Sequence, residues 1–274
     1  MIIRHPLITA LFLISILTVS CGDSGKVQNG LGKASLPDGS IYEGEFRNGL
    51  FDGNGTLRSR DETIYEGEFR NGLYNGNGKI TFPDGSVFEG EFKDGMGHGN
   101  GKYISKSPKY IFKGNYVEGR IEGFGIMKFE NGERYEGDFK DGKYNGQGTY
   151  INSLGNKYVG SFKDGRFNGK GTYFYKNGTK VTAEFKDGSC NGKGVATYNN
   201  GDKYIGDFRH GERHGKGVYE FSNKNRYEGQ FKFDQFNGRG KFYFNDSKKV
   251  IEGEWRNGKF LDDPSIFIPS PITI

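Results

Sequence analysis

Almost everything after residue 28 repeats. The stretch Tyr65-Glu66-Gly67-Glu68-Phe69-Arg70-Asn71-Gly72, followed by Asn75-Gly76-Asn77-Gly78, is copied along the chain. Its opening aromatic or apolar residue falls at Tyr42, Tyr65, Phe88, Phe112, Tyr135, Tyr158, Val181, Tyr204, Tyr227 and Ile251. The spacing is 23 residues, and 24 on two occasions. A fixed period this short means a repeat array.

The content of one copy fixes its local structure. Tyr65, Gly67 and Phe69 alternate with Glu66, Glu68 and Arg70, and period-2 alternation predicts a strand with one aromatic face and one charged face. Gly78–Phe82 alternates in the same way, and Pro83-Asp84-Gly85 supplies a turn. The predicted unit is therefore a hairpin: a strand over about 79–82, a turn, and a strand over about 87–93. The Gly-rich stretch Met96–Gly101 reads as the loop to the next hairpin. From the opening residue to the last loop glycine the distance is always 13. Both extra residues fall between that glycine and the next opening residue, at a hairpin tip, where insertions cost little. The connection of invariant length is thus expected to set how hairpins stack.

Glycine weakens a strand, so Gly44, Gly67, Gly90 and their equivalents need a reason. Each lies between two large side chains on one face, where an absent side chain lets a ring lie flat over the backbone. Ala183, beside Val181, replaces this glycine in repeat seven, which is expected to be the most loosely packed.

YEGEFRNG and YNGNG at this period resemble MORN repeats (membrane occupation and recognition nexus), from roughly Gly32 to Gly258. The resemblance implies an all-β fold: an elongated single-layer antiparallel sheet of about ten stacked hairpins, curved into a groove and used for binding and scaffolding. It also implies possible membrane-lipid contact and self-association, so a homodimer is one expected partner state. Tyr116-Val117-Glu118-Gly119-Arg120 departs from the usual Phe-Lys-Asp-Gly.

The ends differ from the array. Residues 1–20 read as a signal peptide, with Arg4 before an apolar run from Leu7 to Val19 too short to span a membrane comfortably. Ser20-Cys21 followed by Gly22 resembles a bacterial lipoprotein signal. That resemblance implies cleavage before Cys21 and lipid attachment to it, although Thr18 stands where leucine is usual. An ordinary secretory signal and an uncleaved anchor remain alternatives. Residues 21–31 are then a tether, 32–258 the array and 259–274 a capping tail, with Pro264, Pro269 and Pro271 blocking further strand addition. Gly22 rather than aspartate after the cysteine favours an outer membrane or cell surface over an inner membrane.

Only 33% of residues are hydrophobic, while 15% are aromatic and Gly numbers 47. A conventional two-layer core lacks the aliphatic supply, and stacked rings take its place. Cys190 aligns with Tyr74, Tyr144 and Phe167 and reads as a small apolar substitute; with Cys21 lipidated, no disulfide framework exists.

Candidate chemistry is sparse. His210 and His214 occupy ordinary repeat positions, so no metal site is expected. No Gly-x-Gly continues as a phosphate loop, and no cofactor is expected. Glu43/Glu45 and Glu66/Glu68 read as a solvated charge ladder rather than an acid and base pair. Outside the signal, tether, array and tail no segment long enough for a catalytic domain is expected, so the reading is non-enzymatic. Basic residues alternate with acids, which argues against nucleic acid. Lys170, Lys193, Lys216 and Arg239 align in successive loops as a possible basic edge toward anionic lipid, or as a solvated edge. Tyr150, Tyr173, Tyr198 and Tyr219 form the candidate binding face. The expected role is a membrane-anchored, protein-binding scaffold; the alternative partner is a cell-wall glycan stacked on tyrosines.

Overall fold

A computed structural model describes residues 27–268, which make up one antiparallel sheet of 21 strands with no helix among them. The first ten strands are β1 Gly30–Ser35, β2 Ile41–Arg47, β3 Leu50–Arg58, β4 Ile64–Arg70, β5 Leu73–Thr81, β6 Val87–Lys93, β7 Met96–Lys106, β8 Lys109–Val117, β9 Arg120–Phe129 and β10 Arg134–Lys140. Then come β11 Lys143–Ile151, β12 Lys157–Lys163, β13 Arg166–Phe174, β14 Lys180–Lys186, β15 Ser189–Thr197 and β16 Lys203–Arg209. Last are β17 Glu212–Glu220, β18 Arg226–Lys232, β19 Gln235–Tyr243, β20 Val250–Arg256 and β21 Lys259–Phe260. The chain divides into two units between Tyr144 and Asn145, within β11. In the first, β1 to β10 each pair with the next in sequence. In the second, β11 to β21 do the same.

The glycine-rich connection is not a loop. Leu73–Thr81 and its equivalents are continuous strands of nine to eleven residues, and Leu73–Thr81 is paired on both sides. Between Gly67/Gly78 and Phe69/Tyr74 the register shifts, leaving a bulge. Gly76 has φ +62° there, a conformation that glycine adopts without penalty. Positive φ reads in sequence as a loop; in the sheet it makes a kink inside a strand. The true turn at this end is Asn71-Gly72, both with positive φ.

One face is a column of rings. Tyr65 is fully enclosed and stacks on Tyr74 at 3.7 Å, 11° from parallel. Phe69 and Phe92 meet it edge-on at 5.0 and 5.1 Å. Tyr42 with Phe51, Tyr135 with Tyr144, Tyr158 with Phe167 and Tyr227 with Phe236 repeat the stack. The Tyr65 hydroxyl donates to the Glu68 carbonyl at 2.8 Å, so a buried phenol keeps a partner. A Cβ on Gly67 would come within 2.5 Å of the Gly78 backbone, and one on Gly78 would strike the Tyr65 ring. The strand glycines are therefore the floor on which each ring lies. In repeat seven Val181, Ala183 and Cys190 are all buried at ring and glycine positions.

Both edges are tied along the array. Gly72 N donates to Phe51 O at 2.8 Å, and Gly95 N to Tyr74 O at 2.9 Å. At the opposite edge Lys176 N donates to Asn156 Oδ1 and Ser222 N to Asp202 Oδ1. After β21 the chain returns, with Ile268 N donating to Gly258 O. Residues 1–26 and 269–274, including the signal, Cys21 and Pro269 and Pro271, lie outside the described residues.

Candidate binding faces

The structure places the four tyrosines on the ring face but does not present them alike. Tyr150 and Tyr173 both pair with Tyr158 across neighbouring strands, and Tyr219 pairs with Tyr204 and Tyr227. Tyr198 lies beyond the end of β15, one row nearer the tip. Tyr219 is completely buried and Tyr198 is 3% exposed, whereas Tyr150 and Tyr173 are half-buried. An accessible row of four rings is thus corrected to two, which join half-buried Phe167 and Tyr175.

Tyr219 sits where Ile80, Met127 and Phe242 are buried in other repeats, and Tyr198 is enclosed by a polar core that sequence reasoning missed. Arg213 stands where other repeats have the stacked ring, and it is fully buried. Its Nε donates to Asp234 Oδ1 at 2.9 Å, one terminal nitrogen to the Tyr198 hydroxyl at 3.1 Å, and the other to the Asp234 carbonyl at 3.0 Å. Tyr219 donates to Asp202 at 2.6 Å. The guanidinium also lies over Tyr219, 5.2 Å from the ring centre. Burial pushes the Tyr198 hydroxyl up to about 12, partly offset by Arg213. The signal was available: Asp234 occupies the turn-glycine position and Arg213 the ring position, two departures 21 residues apart.

The opposite face carries the charges. The carboxylates at the fourth position of each copy serve the backbone. Glu45, Glu68 and Glu91 accept from the N–H groups of Asn54, Asn77 and Asn100 at 2.8 to 3.1 Å. Asp207 does the same for Lys216 at 3.2 Å. They hold the bulge, so the charge ladder is only half solvated decoration.

Lys170, Lys193, Lys216 and Arg239 are exposed, but they lie within strands rather than loops. Their cross-strand partners are Glu184, Asp207, Gln230 and Glu254. They form a row on the charged face with carboxylates interleaved. Lys193, Lys216 and Arg239 line an open hollow of about 780 Å³, floored by Ile205 and Val218. Two further hollows, of about 920 and 710 Å³, lie on the same face of the first unit around Glu43 and Thr56, and around Lys79 and Glu89.

Among the described residues no group of three His, Cys, Asp or Glu could hold a metal ion. His210 is a turn residue at φ +53°, and the His214 ring meets Phe233. Cys190 is buried, and burial pushes its thiol up to about 11. Among the described residues no helix is long and apolar enough to cross a membrane.

The MORN repeat profile matches the chain at residues 42–64, 65–87, 88–107, 112–134, 135–153, 158–180, 182–203, 204–226, 227–249 and 252–260. No curated protein matches the chain. Among solved structures, the chain is similar to the TCP10 domain of Danio rerio CPAP in complex with a STIL peptide. Identity there is 14%, covering 82% of this chain and 100% of that one, with a TM-score of 0.44. The TCP domain of Drosophila melanogaster SAS-4, in complex with a proline-rich motif of Ana2, is 11% identical. It covers 70% of this chain and 99% of that one, with a TM-score of 0.37. At such scores neither likeness bears on function.

Proposed function

The chain belongs to the MORN repeat family, and from that premise we propose that it is an exported, lipid-anchored, non-enzymatic module that holds protein partners against its sheet. The observation behind this reading is the bare charged face. A sheet normally buries each apolar face against another layer. Here the rings bury one another, and among the described residues no layer covers the opposite face of either unit. Cys21 supplies the anchor at the outer membrane or cell surface.

The anchor is tested by the mass of the mature N-terminus. An acylated Cys21, with release of the protein into the soluble fraction on Cys21→Ser, supports it; an intact residue 1 overturns it. Partner binding is tested by photo-crosslinking in intact cells from positions on each face. The half-buried rings of Tyr150 and Tyr173 favour a cell-wall glycan as the second reading. Retention on purified cell-wall polymer, lost in Tyr150→Ala/Tyr173→Ala, would replace protein with glycan as the partner.

A further inference from the structure

The charged face is not uniform. Its middle row in the first unit reads Lys33, Glu43, Thr56, Glu66, Lys79, Glu89, Lys102 across successive strands. Opposite charges sit side by side there, as in the Lys33–Glu43 and Lys79–Glu66 pairs. In the second unit the equivalent row is uncharged from β12 to β17, with Val and Ile around a Thr172–Thr182 pair. Val159, Thr172, Thr182, Val195, Ile205 and Val218 are consecutive cross-strand neighbours on β12 to β17. Val159, Val195 and Ile205 are 40%, 36% and 42% exposed.

Cations run along both sides of this stripe. Two residues away on one side are Lys170, Lys193 and Lys216; two residues away on the other are Lys157, Lys180 and Lys203. Among the described residues none of the six joins an ion pair in this unit, where Arg213–Asp234, Arg226–Glu228 and Lys241–Glu252 are the pairs formed. Residues 145–268 hold 21 Lys and Arg against 14 Asp and Glu, whereas residues 27–144 hold 16 against 19. The excess of positive charge therefore belongs to the unit that carries the stripe.

We infer that the stripe from Val159 to Val218 is the docking site of an acidic amphipathic helix of another protein. This rests on the protein-binding reading and names the partner's chemistry. Three observations select it. The flanking lysines call for carboxylates on both sides of an apolar centre. The backbone donors and acceptors under the stripe are consumed in the ladder, so the occupant must satisfy its own, and a helix does. The dimensions agree: cation rows four residues apart along a strand are separated by about 13 Å, against a helix diameter of about 10–12 Å. Six strands at about 4.8 Å spacing span about 24 Å, the length of about 16 helical residues. An anionic membrane fits less well, because Glu184 and Asp207 interrupt one cation row; fixed partner charges can register with such a row and a uniform surface cannot.

The test uses the full chain and a labelled 16-residue peptide, helical by design, with Leu and Ile at i, i+3, i+4 and i+7 and Glu on both flanks. Comparators are its scrambled form, the same helix with Lys for Glu, and vesicles of phosphatidylcholine and phosphatidylglycerol in equal parts. Binding of the acidic helix at least tenfold tighter than either peptide comparator is expected, weakening with salt. It should fall at least tenfold in Ile205→Glu and in Lys203→Glu, and hold in Ile64→Glu on the other unit. Should Ile205→Glu fail to fold, Lys203→Glu decides alone. Equal binding of the scrambled peptide, insensitivity to both substitutions, or vesicle binding without peptide binding overturns the inference. A photo-crosslinker at Ile205 and another at Tyr173, in intact cells, separate this failure from that of the broader reading. Protein captured only at Tyr173 ends the stripe proposal and leaves partner binding standing; none at either position ends both. Capture at Ile205 supports the stripe only when the linked segment is an acidic amphipathic helix.

Discussion

Arg213 and Asp234 form an enclosed ion pair, Nε to Oδ1 at 2.9 Å, in place of the ring and the turn glycine that other repeats have at these positions. Removing one partner of such a pair leaves a buried charge alone and costs about 3–5 kcal/mol. Asp234→Gly and Arg213→Tyr should therefore each lower the urea midpoint sharply. The double variant restores the repeat pattern and should match or exceed the parent. Additive losses in the double variant would show that the pair is not coupled.

Gly78 supports the Tyr65 ring, and overpacking of this kind costs about 1–3 kcal/mol. Gly78→Ala should lose stability in that range. Tyr65→Phe keeps the ring and loses the bond to Glu68 O, about 1 kcal/mol. Thermal denaturation ranks the two; the reverse order would mean the glycine is not a floor.

Tyr116 tests the same logic from the other side. Its hydroxyl is buried and meets no hydrogen-bond partner among the described residues, and burial raises its ionisation well above the usual range. Deleting an unsatisfied buried hydroxyl removes a cost of about 1–3 kcal/mol. Tyr116→Phe should raise the melting temperature, in contrast to Tyr65→Phe.

Alkali should unfold the chain. Burial holds Tyr158 and Tyr198 up to about 12, against an ordinary value near 10.0; Tyr42, Tyr65 and Tyr227 are raised further. Above the ordinary value the unfolded chain releases phenol protons that the folded chain retains, so stability falls as pH rises. It should be level below about pH 10 and drop between about pH 10 and 12. Tyrosinate absorbance followed with circular dichroism checks this. Early, gradual ionisation without loss of structure would contradict ring burial.

Repeat seven should open first. Val181 and Cys190 replace the stacked rings, and Ala183 the glycine floor, so β14 and β15 lack the contacts that hold β4 and β5. Local opening follows such poverty of contacts. Amide exchange should be fastest there among the interior strands; uniform protection would refute it.

Much of this was legible in the sequence, and the illegible parts share a cause. The period located the strands ending at Arg70 and Lys93, and the alternation assigned rings to one face and charges to the other. The bulge was hidden, because Gly76 looks the same in a loop as in a kinked strand. Without the bulge the register from one hairpin to the next is unknown, so Thr182 could not be set beside Val195 nor Ile205 beside Val218. The backbone contact of Glu45 was hidden for the same reason, since its partner N–H is exposed only by the kink. Tyr219 occupies a position that is buried in other repeats as well, at Ile80, Met127 and Phe242, whereas Tyr198 is enclosed where Arg213 donates to its hydroxyl, a contact that no repeat pattern announces.

In the backbone ladder each strand of either unit pairs only with the strands before and after it. Tension applied at the ends of a unit therefore loads the ladder one rung at a time rather than shearing many together. A stretched unit should come apart like a zip, releasing one 23-residue module per step, about 80 Å of contour at about 3.5 Å per residue. Held at its two ends, such a unit is an extensible leash that yields gradually and rewinds from whatever hairpins remain.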